Sequence, residues 1–217
     1  MPTKTLSRRD FLKITGIILG TSVVACSGLT VLATHSPAVS LPESTYGDQA
    51  RSKKILITYA SKCGSTGEVA SAIGKTLAQS GVRVDVLPVK KVTNLSGYQA
   101  VFVGSAIRMG KWLPDAAKFV SENLASLQRV PMAYFTVCMT MVEDSPATRA
   151  RAAGFIAPVR AVLTPAAEGY FAGKVDPGRL SFIENMSLQA KGVPQGDFRD
   201  WNKIRTWAQN TYSQISA

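Results

Sequence analysis

The stretch Ile55-Leu56-Ile57-Thr58-Tyr59-Ala60-Ser61-Lys62-Cys63-Gly64-Ser65-Thr66-Gly67 decides the architecture. Its first six residues are a short apolar run after Lys53-Lys54, the pattern of a buried strand. Residues 65–80 then place Val69, Ala70, Ile73, Leu77 and Ala78 on one helical stripe, with Gly81 to end it. A loop of small and hydroxyl residues joins the strand to the helix: Ser61, Lys62, Cys63, Gly64, Ser65 and Thr66. Backbone N–H groups and the positive end of a helix dipole bind phosphate at such a junction, and Ser and Thr hydroxyls add donors. Gly64 and Gly67 would allow close approach of the backbone. Two rival nucleotide motifs fail. The loop lacks GxGxxG, and Gly74-Lys75-Thr76 resembles the end of a Walker A loop but falls inside the helix, with Val69 where that motif needs glycine. On the loop alone, an ordinary Ser/Gly helix cap stays open as the alternative.

Working outward, apolar strands alternate with helical stretches, the pattern of a parallel sheet covered on both faces. Further strands are expected at residues 82–89, 100–104, 130–138 and about 169–173, and further helices at 114–127, 146–163 and 200–213. The fold class is therefore α/β, a doubly wound five-stranded parallel sheet, whose ligands sit at the carboxyl ends of the strands.

Ahead of this domain, assigned to residues 54–217, lie two other segments. Residues 1–33 contain Arg8-Arg9 before Phe11-Leu12-Lys13 and a weakly apolar run, the pattern of a twin-arginine export signal. Val23-Val24-Ala25-Cys26 resembles a lipobox. Lipidation at Cys26, simple cleavage and an uncleaved anchor are the three readings left open. Residues 34–53 read as a Ser- and Pro-containing tether. The expected location is the outer face of the cytoplasmic membrane or the periplasm.

Composition narrows the chemistry. The net charge is +11, and residues 1–50 hold four Lys/Arg against three Asp/Glu, so +10 belongs to residues 51–217. A basic surface suits an anionic membrane or acidic partner. No nucleic-acid motif accompanies it, so nucleic acid is not an expected partner. His35 is the single histidine and precedes the domain, which excludes a His-based triad there. Cys26, Cys63 and Cys138 have neither CxxC nor metal-ligand spacing, so no metal site is expected. A cofactor is the natural source of reactivity.

These features resemble the flavodoxin superfamily. The loop at 61–66 looks like its FMN phosphate loop. Val103-Gly104-Ser105-Ala106-Ile107-Arg108-Met109-Gly110 resembles its first flavin-ring loop, and Phe171-Ala172-Gly173-Lys174-Val175-Asp176 its last strand. Gly196-Asp197-Phe198-Arg199-Asp200-Trp201 resembles the opening of the last helix in a branch that includes the menaquinone-dependent protoporphyrinogen dehydrogenases. The resemblance implies the strand order 2-1-3-4-5 and FMN as cofactor. It places residues 105–112 on one side of the flavin ring and residues 136–140, including Thr136, Val137 and Cys138, on the other. Backbone groups of Ser105, Ala106 and Ile107 would bond the ring edge. Met109 and Trp112 are candidates for its face, although Trp112 could equally pack on the helix starting at Pro114. Cys63 stands where the family commonly has Thr. Nothing in the sequence implies that Cys63 and Cys138 pair.

Arg108 and Lys111 would stabilise an anionic reduced flavin and raise its potential above that of an acidic flavodoxin. The implied function is an exported FMN oxidoreductase or electron-transfer protein near the membrane, with a redox partner or quinone. Protoporphyrinogen dehydrogenase activity, with Arg108, Lys111, Arg149 and Arg151 attracting propionates, is a second reading. A flavin-free binding lipoprotein is a third.

Overall fold

Strands covered on both faces are apolar along most of their length, and the runs at residues 55–57, 101–103 and 132–135 follow that pattern. The computed structural model describes residue 37, residues 39–48, residue 50 and residues 53–216. The export-signal and Cys26 expectations fall on residues 1–36 and lie outside the described residues. The elements run β1 (Ser44–Tyr46), β2 (Lys54–Ala60), α1 (Ser65–Ala78), β3 (Arg83–Pro88), β4 (Ala100–Arg108) and β5 (Lys111–Trp112). They continue as α2 (Pro114–Glu122), α3 (Leu124–Leu127), β6 (Met132–Val137), α4 (Pro146–Phe155) and α5 (Ala157–Val162). Then follow β7 (Ala167–Phe171), β8 (Lys174–Val175), α6 (Phe182–Ala190), β9 (Gly196–Asp197) and α7 (Trp201–Ser216). The chain divides into two units, Val39–Asp176 with Gln195–Ala217, and Met1–Ala38 with Pro177–Pro194.

In the larger unit, the parallel strands lie in the order β3-β2-β4-β6-β7, which is the expected 2-1-3-4-5. Alternate residues of β2 serve opposite cores. Ile55, Ile57 and Tyr59 pack with Val69, Ile73 and Leu77 of α1 and with Ile204 and Ala208 of α7. Leu56 and Ala60 pack with Val101, Val103 and the α2 residues Ala116, Phe119 and Val120. Each fully buried Leu or Ile stabilises the fold by about 1.5–3 kcal/mol.

Several boundaries differ from the sequence expectations for local reasons. The helix expected over 114–127 divides at Asn123 (φ −108°), whose side-chain amide donates to the Phe119 carbonyl. The helix expected over 146–163 divides at Ile156 (φ −102°), because Pro158 has no N–H to continue the ladder. The last parallel strand begins two residues earlier than expected. The third extends four residues further, to Arg108, where it folds back as a hairpin onto β5.

The stretch read as a tether is structured in part. Ser44–Tyr46 forms β1, an antiparallel edge strand on β3. Asp85 holds this edge. Its carboxylate accepts from Thr45 Oγ1 and from the Tyr98 hydroxyl, both at 2.9 Å, and from Arg83 Nε at 3.3 Å. Burial pushes the Asp85 carboxyl up, but the Tyr98, Thr45 and Arg83 contacts outweigh it and hold it below its ordinary value. Burial and the bond to Asp85 push the Tyr98 phenol up to about 12. Just upstream of β1, the Tyr59 hydroxyl donates to the Pro42 carbonyl at 2.7 Å. The Tyr59 ring lies over Gly67, where a Cβ would come within 2.7 Å of it. Gly67 therefore makes room for Tyr59, a reason different from the close phosphate approach expected of it.

In the smaller unit, α6 opens with a capping box. Ser181 Oγ accepts from the Glu184 N–H at 3.3 Å, and the Glu184 carboxylate accepts from the Ser181 N–H at 3.0 Å. Phe182, Ile183 and Met186 are exposed on this helix.

Two measurements test this edge. Gly67→Ala displaces Tyr59 from Pro42 and lowers stability by about 1–3 kcal/mol in denaturant unfolding. The Asp85 carboxyl has a depressed folded-state pKa, so its contribution is complete above about pH 4 and is lost as pH falls through that depressed value. Asp85→Asn accordingly lowers stability at pH 7 and flattens the acid limb of the stability–pH curve.

Candidate functional site

Parallel register brings the strand ends together. Ala60 lies beside Ser105, Ser105 beside Thr136, and Val137 beside Phe171. The segments that follow these residues therefore share one edge of the sheet, where ligands of doubly wound folds bind.

The 61–66 loop turns at Gly64, whose φ of 86° is left-handed and favours glycine. Gly64 is the N-cap of α1, and no side chain caps that end. The first intrahelical bond runs from Glu68 N–H to the Gly64 carbonyl at 3.1 Å, so the N–H groups of Ser65, Thr66 and Gly67 open the helix ahead of it. The three hydroxyls of the loop have different duties. Ser61 Oγ accepts from Gly64 N–H at 3.0 Å and shapes the turn. Ser65 Oγ accepts from Lys174 N–H at 3.1 Å and holds the segment after β7 against the loop. Thr66 Oγ1 is buried and has no hydrogen-bond partner. Thr58 and Ser71 also carry buried unpartnered hydroxyls among the described residues, but neither lies at a helix N-terminus. A buried hydroxyl without a partner is costly, so Thr66 is the place where an acceptor from a ligand would be favoured. Lys62 is exposed, and Cys63 is half-buried and outside any disulfide.

The expected ring loop at 105–112 is a continuation of β4 and a hairpin. Ser105 is fully buried, and its Oγ accepts from Leu113 N–H at 3.0 Å while donating to the Ala106 carbonyl. The Ala106 carbonyl also accepts from Leu113 N–H at 3.3 Å, and Ile107 pairs with Trp112 across the hairpin. Met109 and Gly110 form its two-residue turn with φ of 51° and 73°, the double-positive geometry of a type I′ turn. Arg108 and Lys111 face each other at its base, both exposed. Of the two expectations for Trp112, the structure shows packing in the core beside α2. The indole is 4% exposed, sits edge-on to Tyr134 and donates from Nε1 to Thr136 Oγ1 at 2.9 Å. The Thr136 hydroxyl is occupied in holding it.

On the other side, Val137 belongs to the core and Cys138 is 6% exposed. Burial pushes the Cys138 thiol up, and it forms no disulfide with Cys63. Cys138 N–H donates to the Phe171 carbonyl at 3.0 Å, which ties the ends of β6 and β7.

One residue at this edge was missed as a site residue. Arg199, buried to 4% side-chain exposure, reaches Glu68 in the first turn of α1 at 2.5 Å and Asp197 at 2.6 Å, with its guanidinium 4.4 Å from the Trp201 ring centre. It fixes the opening of α7 against the start of α1. Its signal was present in Gly196-Asp197-Phe198-Arg199, quoted for its likeness but without a role.

The family pattern described as Flavodoxin domain matches residues 56–191. Protoporphyrinogen IX dehydrogenase [quinone] of Leishmania major is 25% identical over 175 residues, covering 74% of this chain and 75% of that protein. The Escherichia coli K12 protein of the same name is 29% identical over 86 residues, 39% of this chain and 48% of its own length. Among solved structures, a flavodoxin from the domain Archaea superposes with a TM-score of 0.47 at 18% identity, over 76% of this chain and 99% of its own. Bacillus cereus flavodoxin 1 gives 0.49 at 14% identity, over 75% and 99%.

The Thr66 hydroxyl gives a two-sided expectation. Thr66→Val removes an unsatisfied buried group, so the ligand-free protein gains about 1 kcal/mol in thermal or denaturant unfolding. The same variant binds FMN about tenfold more weakly in fluorescence titration, because the donor is gone.

Proposed function

The chain belongs to the flavodoxin-domain family, and on that premise we propose that it is an FMN-dependent oxidoreductase or electron-transfer protein. We place its work at the outer face of a membrane, with a redox partner or a quinone. The fold is a flavin-binding one, and FMN is the cofactor that the family implies. The observation that carries the reading is the uncapped start of α1 with the buried, unpartnered Thr66 hydroxyl beside it. Helix N–H groups and one spare hydroxyl form a donor set suited to a phosphate monoester.

When bound, FMN supplies hydride or electron transfer. The chain supplies position and charge. Ser65, Thr66 and Gly67 offer backbone donors to the phosphate, while Ser61 and Ser65 hold the loop through Gly64 and Lys174. Arg199 keeps the first turn of α1 in place through Glu68. Arg108 and Lys111 bring positive charge to the hairpin expected beside the ring, which raises the midpoint potential relative to an acidic environment.

A second reading, oxidation of protoporphyrinogen IX with a quinone, is favoured by the names of the two relatives. Against it, Arg149 is not freely available for a propionate. It makes two bonds of 2.6 and 2.7 Å to Asp144.

Absorbance of the purified full chain separates the readings. Bound FMN gives bands near ~375 and ~450 nm from the cofactor's own chemistry, and a redox titration of that sample gives a midpoint above that of acidic flavodoxins. A colourless protein that FMN does not reconstitute overturns the proposal. Quinone-dependent turnover of protoporphyrinogen IX by the coloured protein supports the second reading, and its absence removes it.

A further inference from the structure

Three large apolar side chains of the larger unit are exposed: Met109, Val142 and Val162. Met109, 93% exposed, stands at the tip of the β4–β5 hairpin, and Val142, 38% exposed, ends the turn after β6. Both therefore lie at the carboxyl edge of the sheet, on segments following adjacent strands. Val162 precedes β7 and belongs to the opposite edge.

The hairpin has the build of a rigid projection. Trp112 is buried at its root and bonded to Thr136, and Leu113 N–H is held by Ser105 and Ala106. Its tip holds a thioether side chain in left-handed backbone (φ 51°), a conformation that a non-glycine residue adopts at a cost. Arg108 and Lys111 flank that tip. An apolar tip between two cations matches the boundary between acyl chains and phosphate headgroups of a lipid surface.

The path of the upstream chain adds an independent reason. Because β1 runs antiparallel to β3, the residues before it come from the carboxyl edge. Pro42 is fixed there by Tyr59, and Glu43 lies 3.8 Å from Lys91, just beyond β3. The sequence upstream contains the apolar run at residues 14–33. The net charge of +11 favours an anionic surface.

We infer that the hairpin carrying Arg108, Met109, Gly110 and Lys111 is the domain's contact with an anionic phospholipid surface, so that the carboxyl edge of the sheet faces the membrane. The inference deepens the proposed function and rests on its membrane location. It does not rest on the cofactor.

Hydrogen–deuterium exchange of the full chain tests it, with vesicles of equal parts phosphatidylglycerol and phosphatidylcholine and with phosphatidylcholine vesicles alone. With the anionic vesicles, amides of residues 106–112 exchange at least about threefold more slowly than without vesicles at the same FMN content. Met109→Asp, an exchange that left-handed backbone tolerates, abolishes that slowing while the protein stays on the vesicles. Failure to associate with vesicles, unchanged exchange at 106–112, equal slowing on both vesicle types, or slowing confined to residues 182–190 each overturns the inference. An acidic redox protein that slows exchange at 106–112 where the vesicles do not would assign the hairpin to a protein partner instead. Visible absorbance of the same samples keeps the two proposals apart. Colourless protein with a protected hairpin refutes the cofactor reading alone, and yellow protein with an unprotected hairpin refutes the docking surface alone.

Discussion

The alignment of strand ends is the constraint on which the rest of the molecule depends. Parallel pairing of β2, β4, β6 and β7 sets Ala60, Ser105, Thr136 and Tyr170 along one line of the sheet. A slip of one residue in any pair would exchange its two buried faces and separate the segments beyond them. Full burial on both sides prevents the slip, because either face of β2 left in water would lose several apolar side chains from the core. Precision at the 61–66 loop is thus a property of the cores beneath it.

Around that line, the edge is held by contacts distant in sequence. Ser65 joins the first loop to the segment after β7, Arg199 joins α7 to α1, and Trp112 joins the hairpin to β6. Each commits its side chain to scaffolding. Thr66 is the exception at this edge, since its buried hydroxyl has no partner. The loop's other hydroxyl residues cannot be separated from it by type alone.

Most of the sheet was legible because its signal is local. An apolar run such as residues 55–60 followed by the stripe at Val69, Ile73 and Leu77 can be read without tertiary information. The breaks at Asn123 and Ile156 were less legible, since one side-chain bond or one missing N–H can end a helical turn without altering its apolar stripe, although Pro158 already forbade one ladder bond. β1 was missed because three residues inside a polar stretch carry no periodicity, and its pairing depends on Asp85 some 40 positions away. α6 was missed despite the Ser181–Glu184 capping pattern, because its apolar residues are exposed and no stripe marks a buried face. At the site, the loop residues could be named from sequence. Their duties could not, since Ser65 and Trp112 are committed to partners 109 and 24 residues away.

The short strand β1 has a consequence for association between copies. A parallel sheet that ended at β3 would offer a row of unpaired backbone groups to any other extended chain. Three residues of β1 occupy that row from Val84 to Val86, and the Asp85 cluster pins them there. The chain thus closes its own open flank with the segment that leads into the domain. A deletion of residues 44–46 would strip that cover and leave the backbone of Val84 to Val86 open to strand-to-strand aggregation.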